Sequence, residues 1–146
     1  MENKTIDDIL DSLFQILPII HKKLLKIELG GVTGSISHAH LAIMRMLGEG
    51  SLPISEVARR LVVPKSQMTH LVDQLVDQDI VVRQPDTSDR RVINISLTSY
   101  GWNKLEECRE LVKQNIRNKI SSLSPSELMD LSEALAQLRN IGTKLE

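Results

Sequence analysis

Arg90 and Arg91 stand side by side at the end of a polar segment, Gln84-Pro85-Asp86-Thr87-Ser88-Asp89-Arg90-Arg91, flanked by two β-type runs. Those runs, Ile80-Val81-Val82-Arg83 and Val92-Ile93-Asn94-Ile95-Ser96-Leu97, make the whole stretch a β-hairpin with a charged tip. Adjacent arginines on a projecting loop serve no purpose in a domain interior, whereas a phosphate backbone or a narrow minor groove attracts them. Asp89 can hold one guanidinium in a two-point ion pair and so leave the other to project. A second group upstream has the same kind of chemistry. On a helix expected from about Lys65 to Gln78, the outward positions of the N-terminal half are Lys65, Ser66, Gln67, Thr69 and His70, while Met68, Leu71, Val72, Leu75 and Val76 form the apolar side. Such side chains reach base edges and phosphates, and the helix N-terminus adds partial positive charge. Asp73, Asp77 and Asp79 make the other end of this stretch acidic, so it should point away from nucleic acid.

These residues need a scaffold. Ile54 to Leu61 reads as a short helix with Val57, Ala58 and Leu61 inward, joined through Val62-Val63-Pro64 to the helix from Lys65. Two short helices, a tight turn and an immediately following β-wing form a winged helix-turn-helix pattern. Upstream, the three-and-four spacing of Ile6, Ile9, Leu10, Leu13, Leu17, Ile20, Leu24 and Ile27 predicts an amphipathic helix, kinked at Pro18. The run Gly30-Gly31-Val32-Thr33-Gly34 ends it. Ser35 or Ser37 then caps a helix with Leu41, Ile43, Met44 and Leu47 on its apolar face, stopped by Gly48-Glu49-Gly50.

Past the hairpin, Leu97-Thr98-Ser99-Tyr100-Gly101 opens a long helix through Leu105, Cys108, Leu111, Val112, Ile116 and Ile120. Ser124-Pro125-Ser126-Glu127 combines a capping serine, a first-turn proline and a glutamate placed to bond back to the cap. The final helix carries Leu128, Leu131, Leu135, Leu138 and Leu145. First and last helices each have an apolar stripe broader than a small central domain can cover, and a two-fold dimer is the simplest way to bury both.

Bulk properties narrow the function. The 146 residues are 41% hydrophobic, ample for a core, and Phe14, Tyr100 and Trp102 are the only aromatics, which disfavours recognition by base stacking. Net charge is -1, so binding to nucleic acid must come from local clusters of charge. One cysteine, Cys108, cannot form an internal disulfide and reads as a buried structural thiol. The start Met1-Glu2-Asn3-Lys4 lacks a signal-peptide pattern and no apolar run reaches membrane-spanning length, so a cytoplasmic protein is expected. No glycine-rich phosphate loop, nucleophile elbow or zinc-hydrolase spacing is present. Asp86 and Asp89 are paired carboxylates on an arginine-rich loop, where charge pairing is the better reading than acid-base catalysis. The chain reads as a non-enzyme without a cofactor.

The runs Ile54 to Leu61, Met68 to Leu75, Val82-Arg83, Asp86 to Arg91 and Leu97 to Gly101 together resemble the MarR (multiple antibiotic resistance regulator) family of transcriptional regulators. The wing Asp-Arg-Arg followed by a strand and Leu-Thr-x-x-Gly is the more specific part. The resemblance implies a mostly α (α+β) fold as a single domain over 1–146, with dimerisation helices at 1–34 and 99–146 and a winged helix-turn-helix lobe at 35–98. It implies a homodimer reading a pseudo-palindromic operator in double-stranded DNA, acting as a repressor released by a small phenolic or anionic effector. By position, Ser66, Gln67, Thr69 and His70 match the family's major-groove residues, and Arg90 the arginine inserted into the minor groove. Asp89 and Arg91 match the wing-bracing pair, and Arg83 a basic residue at the wing base near a phosphate.

Some residues depart from the family pattern. Val62 stands where glycine is common, and a β-branched residue resists positive φ. His70 and Gln74 stand where many members have arginine, which predicts weaker or more salt-sensitive binding, sensitive to pH where His70 meets a phosphate. His38 and His40 fall near the family's effector pocket. With His21 and Glu28 they form a conceivable zinc set that no spacing enforces, so a zinc-responsive regulator is a minor alternative. A second alternative is an interaction or structural dimer whose wing binds an acidic protein partner.

Overall fold

The computed structural model describes residues 1–24 and 36–145. Its elements are α1 (Glu2–Ile19), a π-helical turn (Ile20–Leu24), α2 (His38–Leu47), β1 (Leu52–Pro53), α3 (Ile54–Leu61), α4 (Lys65–Asp77), β2 (Val81–Pro85), β3 (Ile93–Leu97), α5 (Ser99–Ile120) and α6 (Pro125–Gly142). The chain is mostly helical with one small antiparallel sheet of order β1-β3-β2. It divides into two compact units, residues 28–111 and residues 1–27 with 112–146. Ile27, the run from Gly30 to Gly34, Ser35 and Glu28 lie outside the described residues. No described helix is long and apolar enough to cross a membrane.

The unit of residues 28–111, called the lobe below, has a core of aliphatic and sulfur-containing side chains. Ile43, Met44, Val57, Met68, Val72, Leu75, Ile95, Leu105 and Cys108 are fully shut off from solvent, and each such side chain contributes roughly 1.5–3 kcal/mol relative to exposure. No aromatic side chain is among them; Trp102 stays 41% exposed. Ser37 caps α2 through a box in which its hydroxyl accepts from the His40 amide. β3 is the central strand. It pairs Val81↔Leu97 through Pro85↔Ile93 on one side and Leu52↔Ile95 on the other, and the buried Ile95 and Leu97 alternate with half-buried Asn94 and Ser96.

The lobe reaches into α5, farther than the boundary at residue 98 expected from the sequence. Gly101 explains the join: a Cβ there would lie 2.1 Å from the Ile80 carbonyl oxygen, so only glycine permits the approach. The Thr98 hydroxyl accepts from the Gly101 amide at 2.9 Å and donates to the Asp79 carbonyl at 2.5 Å, fixing the start of α5 to the α4–β2 corner.

The other unit contrasts with this. Neither α1 nor α6 has a buried residue in the single chain, and Leu10, Leu13, Phe14, Leu17, Leu135, Leu138 and Ile141 are exposed. Pro18 sits inside α1, and the helix passes into the π-helical turn directly after it. Proline lacks the amide that would bond the previous turn, which loosens the α register there. Ser124 and Glu127 form the capping box of α6, with the Ser124 amide donating to Glu127 Oε2 at 2.8 Å.

Candidate nucleic-acid interface

α4 presents Lys65, Ser66, Gln67, Thr69 and His70 to solvent and buries Met68, Leu71, Val72 and Leu75. That division follows from the helical period. Its N-terminal flank is Pro64, and no side chain caps the first turn, so the first-turn amides point outward as donors for an anion. The first turn holds no acidic residue.

The turn between α3 and α4 adopts the conformation that glycine favours, with a valine in it. Val62 has φ 54° and ψ 47° and is 89% exposed, while the Val63 amide donates to the Ala58 carbonyl at 3.0 Å. A left-handed β-branched residue costs about 1–2 kcal/mol. On α3, Glu56 takes Arg59 at 2.6 Å and Arg60 at 2.8 Å. The two guanidinium hydrogen bonds hold its carboxyl down to about 2.

At the base of the wing, Arg83 forms an ion pair with Asp73 on α4. The resemblance places Arg83 near a phosphate; the structure adds an Asp73 partner. The contact ties wing to helix. Between them lies a cleft of about 450 Å³ lined by Lys65, Thr69, Arg83 and Arg91 together with the apolar Ile54, Val92 and Ile93.

The wing tip is built from two carboxylates. Asp86 accepts from the amides of Ser88 and Asp89 at 3.0 and 3.1 Å and from Asn94 Nδ2 at 2.8 Å. Asp89 takes Arg91 in a two-point pair, Nε to Oδ1 at 3.1 Å and Nη2 to Oδ2 at 3.3 Å, and also accepts from the Arg91 amide. Hydrogen bonds from Asn94 and the two amides lower the Asp86 carboxyl below its usual range, and the Arg91 side chain does the same for Asp89. Arg90, between the anchored residues, is exposed. The Asp86–Asn94 contact was not visible in the sequence, because residues eight apart in a hairpin meet only once the loop length is known.

The histidines are dispersed. His38 is the exposed first residue of α2 and His21 lies exposed in the π-helical turn, whereas His40 is 5% exposed. The His40 Nδ1 accepts from the Ser37 amide at 3.0 Å, and Nε2 lies 2.8 Å from Gln74 Oε1. The ring therefore carries its proton on Nε2 and donates to Gln74. With both nitrogens engaged, His40 as placed offers no lone pair to a metal and joins α2 to α4 instead. Gln74, which stands where many family members have arginine, is this partner. Among the described residues, no three His, Cys, Asp or Glu side chains converge as metal ligands. Cys108 is fully buried, which pushes its thiol up.

A profile of the MarR family matches residues 36–93, all within the lobe. The HTH-type transcriptional repressor MdtR of Bacillus subtilis (strain 168) is 34% identical over 104 residues, covering 70% of this chain and 67% of MdtR. Among solved structures, the YusO protein from Bacillus subtilis is similar with a TM-score of 0.68 and 28% identity, over 96% of this chain and 98% of that one. The transcriptional regulator BldR from Sulfolobus solfataricus gives a TM-score of 0.71 at 25% identity, over 96% and 98%. With these similarities, the chain is a member of the MarR family of winged-helix, DNA-binding transcriptional regulators.

Proposed function

We propose that this protein is a cytoplasmic repressor that binds a pseudo-palindromic operator as a homodimer and is released by a small phenolic or anionic effector. The observation that carries the DNA reading is the pairing of an outward, uncapped α4 N-terminus with an exposed Arg90, without an ion pair among the described residues, on a braced wing. α4 enters the major groove, where Ser66, Gln67, Thr69 and His70 meet base edges and Lys65 meets a phosphate. Arg90 enters the adjacent minor groove, while Asp89 and Arg91 hold the tip. Arg83, already paired with Asp73, orients the wing on α4 and turns its remaining donors to the backbone. The apolar faces of α1 and α6 support the homodimer, since a second copy offers the same faces in return. The repressor role is supported by the similarity to MdtR, a transcriptional repressor. An effector acts by favouring a dimer whose recognition helices no longer match successive turns of DNA.

The test begins with selection of duplexes from a random pool by the purified protein, followed by fluorescence anisotropy on the enriched sequence. Arg90→Ala is expected to weaken binding about tenfold or more. Enrichment of no sequence at any salt concentration would favour the acidic-partner reading, and specific binding indifferent to Arg90→Ala would remove the wing from the interface. A thermal-shift screen of phenols and organic anions identifies the effector class.

A further inference from the structure

The wing tip depends on two carboxylates, and the function proposed above uses only Asp89. Asp86 is the other. Its Oδ2 collects the Ser88 and Asp89 amides while Oδ1 accepts from Asn94, and the Asp86 amide donates to the Val92 carbonyl at 2.9 Å. Asn94 stands in the central strand, paired in register with Gln84 on one side and Pro53 on the other. Its amide cannot be turned over, because Nδ2 must face the carboxylate. In that orientation Asn94 Oδ1 is buried with no partner among the described residues. An apolar side chain would avoid the orphaned acceptor, so the NH2 group is what this position supplies. Asn94 also heads the causes that hold the Asp86 carboxyl low, which keeps it ionised as an acceptor of three hydrogen bonds.

Arg90 lies between the residues this arrangement fixes. The Asp89 amide is held by Asp86, its carbonyl accepts from the Val92 amide at 3.0 Å, and the Arg91 amide is held by the Asp89 carboxylate. The direction in which Arg90 leaves the backbone is therefore set by the turn, since among the described residues its side chain has no hydrogen bond or ion pair of its own. We propose that Asn94 is a positioning residue for Arg90, anchoring the Asp86 carboxylate so that the tip presents the arginine in one direction. The proposal rests on the reading of Arg90 as a DNA contact.

The test exchanges donor and acceptor. Asn94→Asp alone sets two carboxylates face to face, whereas Asp86→Asn with Asn94→Asp restores a complementary pair with the carboxylate on β3 and the amide in the turn. By anisotropy on the enriched duplex, Asn94→Asp is expected to weaken binding about five- to tenfold and the exchanged pair to return it to within about twofold of wild type. In an Arg90→Ala background, Asn94→Asp should add less than about twofold, because the residue it positions is gone. Amide NMR resonances of Ser88 and Asp89 should move in Asn94→Asp and return in the exchanged pair, a readout that needs no DNA and also shows whether the variant folds. Equal loss from Asn94→Asp with or without Arg90 would overturn the proposal, as would unmoved Ser88 and Asp89 resonances. Moved resonances with Arg90→Ala itself silent would instead show that Arg90 is not a DNA contact, and Asn94 would then position nothing in the interface.

Discussion

In the lobe, Ile43, Met44, Met68, Leu75 and Ile95 are closed off by neighbours within the same chain, while α1 and α6 leave Leu13, Phe14, Leu17, Leu135 and Leu138 open to solvent. The two regions have similar raw material, helices with aliphatic faces, and differ in what completes them. The lobe has a third layer, the sheet, against which α2, α3 and α4 pack, and polar ties such as His40–Gln74 lock its helices in register. The terminal helices have only more helix. Burial of such a surface would add to stability in proportion to the apolar area covered, and the proposed homodimer supplies a matching face.

The sharpest way to break this contrast is to charge the open face. Leu13→Glu combined with Leu135→Glu should leave the far-ultraviolet spectrum helical, convert the protein to monomer in sedimentation, and lower operator affinity by about a hundredfold or more, since two half-sites are then no longer linked. A dimer surviving both charges would show that another surface joins the copies. Inside the lobe, Gly101→Ala forces a methyl against the Ile80 carbonyl and should cost about 2–4 kcal/mol in urea unfolding. Little change would mean that α5 can shift away and is not fixed to the lobe there.

A smaller effect of opposite sign is expected from Val62→Gly, which relieves the left-handed valine and should raise stability by about 0.5–1 kcal/mol after the entropy of the added glycine is counted. The smallest concerns Glu56. Its carboxyl is lowered from 4.5 to about 2, so its ion pairs favour the fold above the unfolded value and that contribution fades as pH falls toward the folded one. Urea midpoints of Glu56→Gln and wild type should differ by a constant amount above about pH 5 and converge near pH 2. A gap that widens on acidification would mean the pairs are not formed in solution.

Much of this contrast could be read from residue order. α3 spans Ile54–Leu61 and α6 begins at Pro125 behind Ser124, because caps and period act locally. β1 is not legible in the sequence: two residues, one a proline, carry no alternation, and Leu52 and Pro53 are a strand only because β3 lies beside them. β2 likewise continues through Gln84 and Pro85, carried by its ladder with Asn94 and Ile93. At the interface, the outward residues of α4 follow from helical period alone. The partners of His40, Arg83 and Asp86 do not, for Gln74, Asp73 and Asn94 are distant in sequence and adjacent only after the helices and hairpin have met.

The aliphatic core has an optical consequence. Trp102, the only tryptophan, is one residue past Gly101 and 41% exposed, and Tyr100, the only tyrosine, is half exposed on its other side. Intrinsic fluorescence therefore reports the seam where α5 leaves Ile80 and is blind to the centre of the lobe, so an emission change on adding duplex or effector is a signal from that seam.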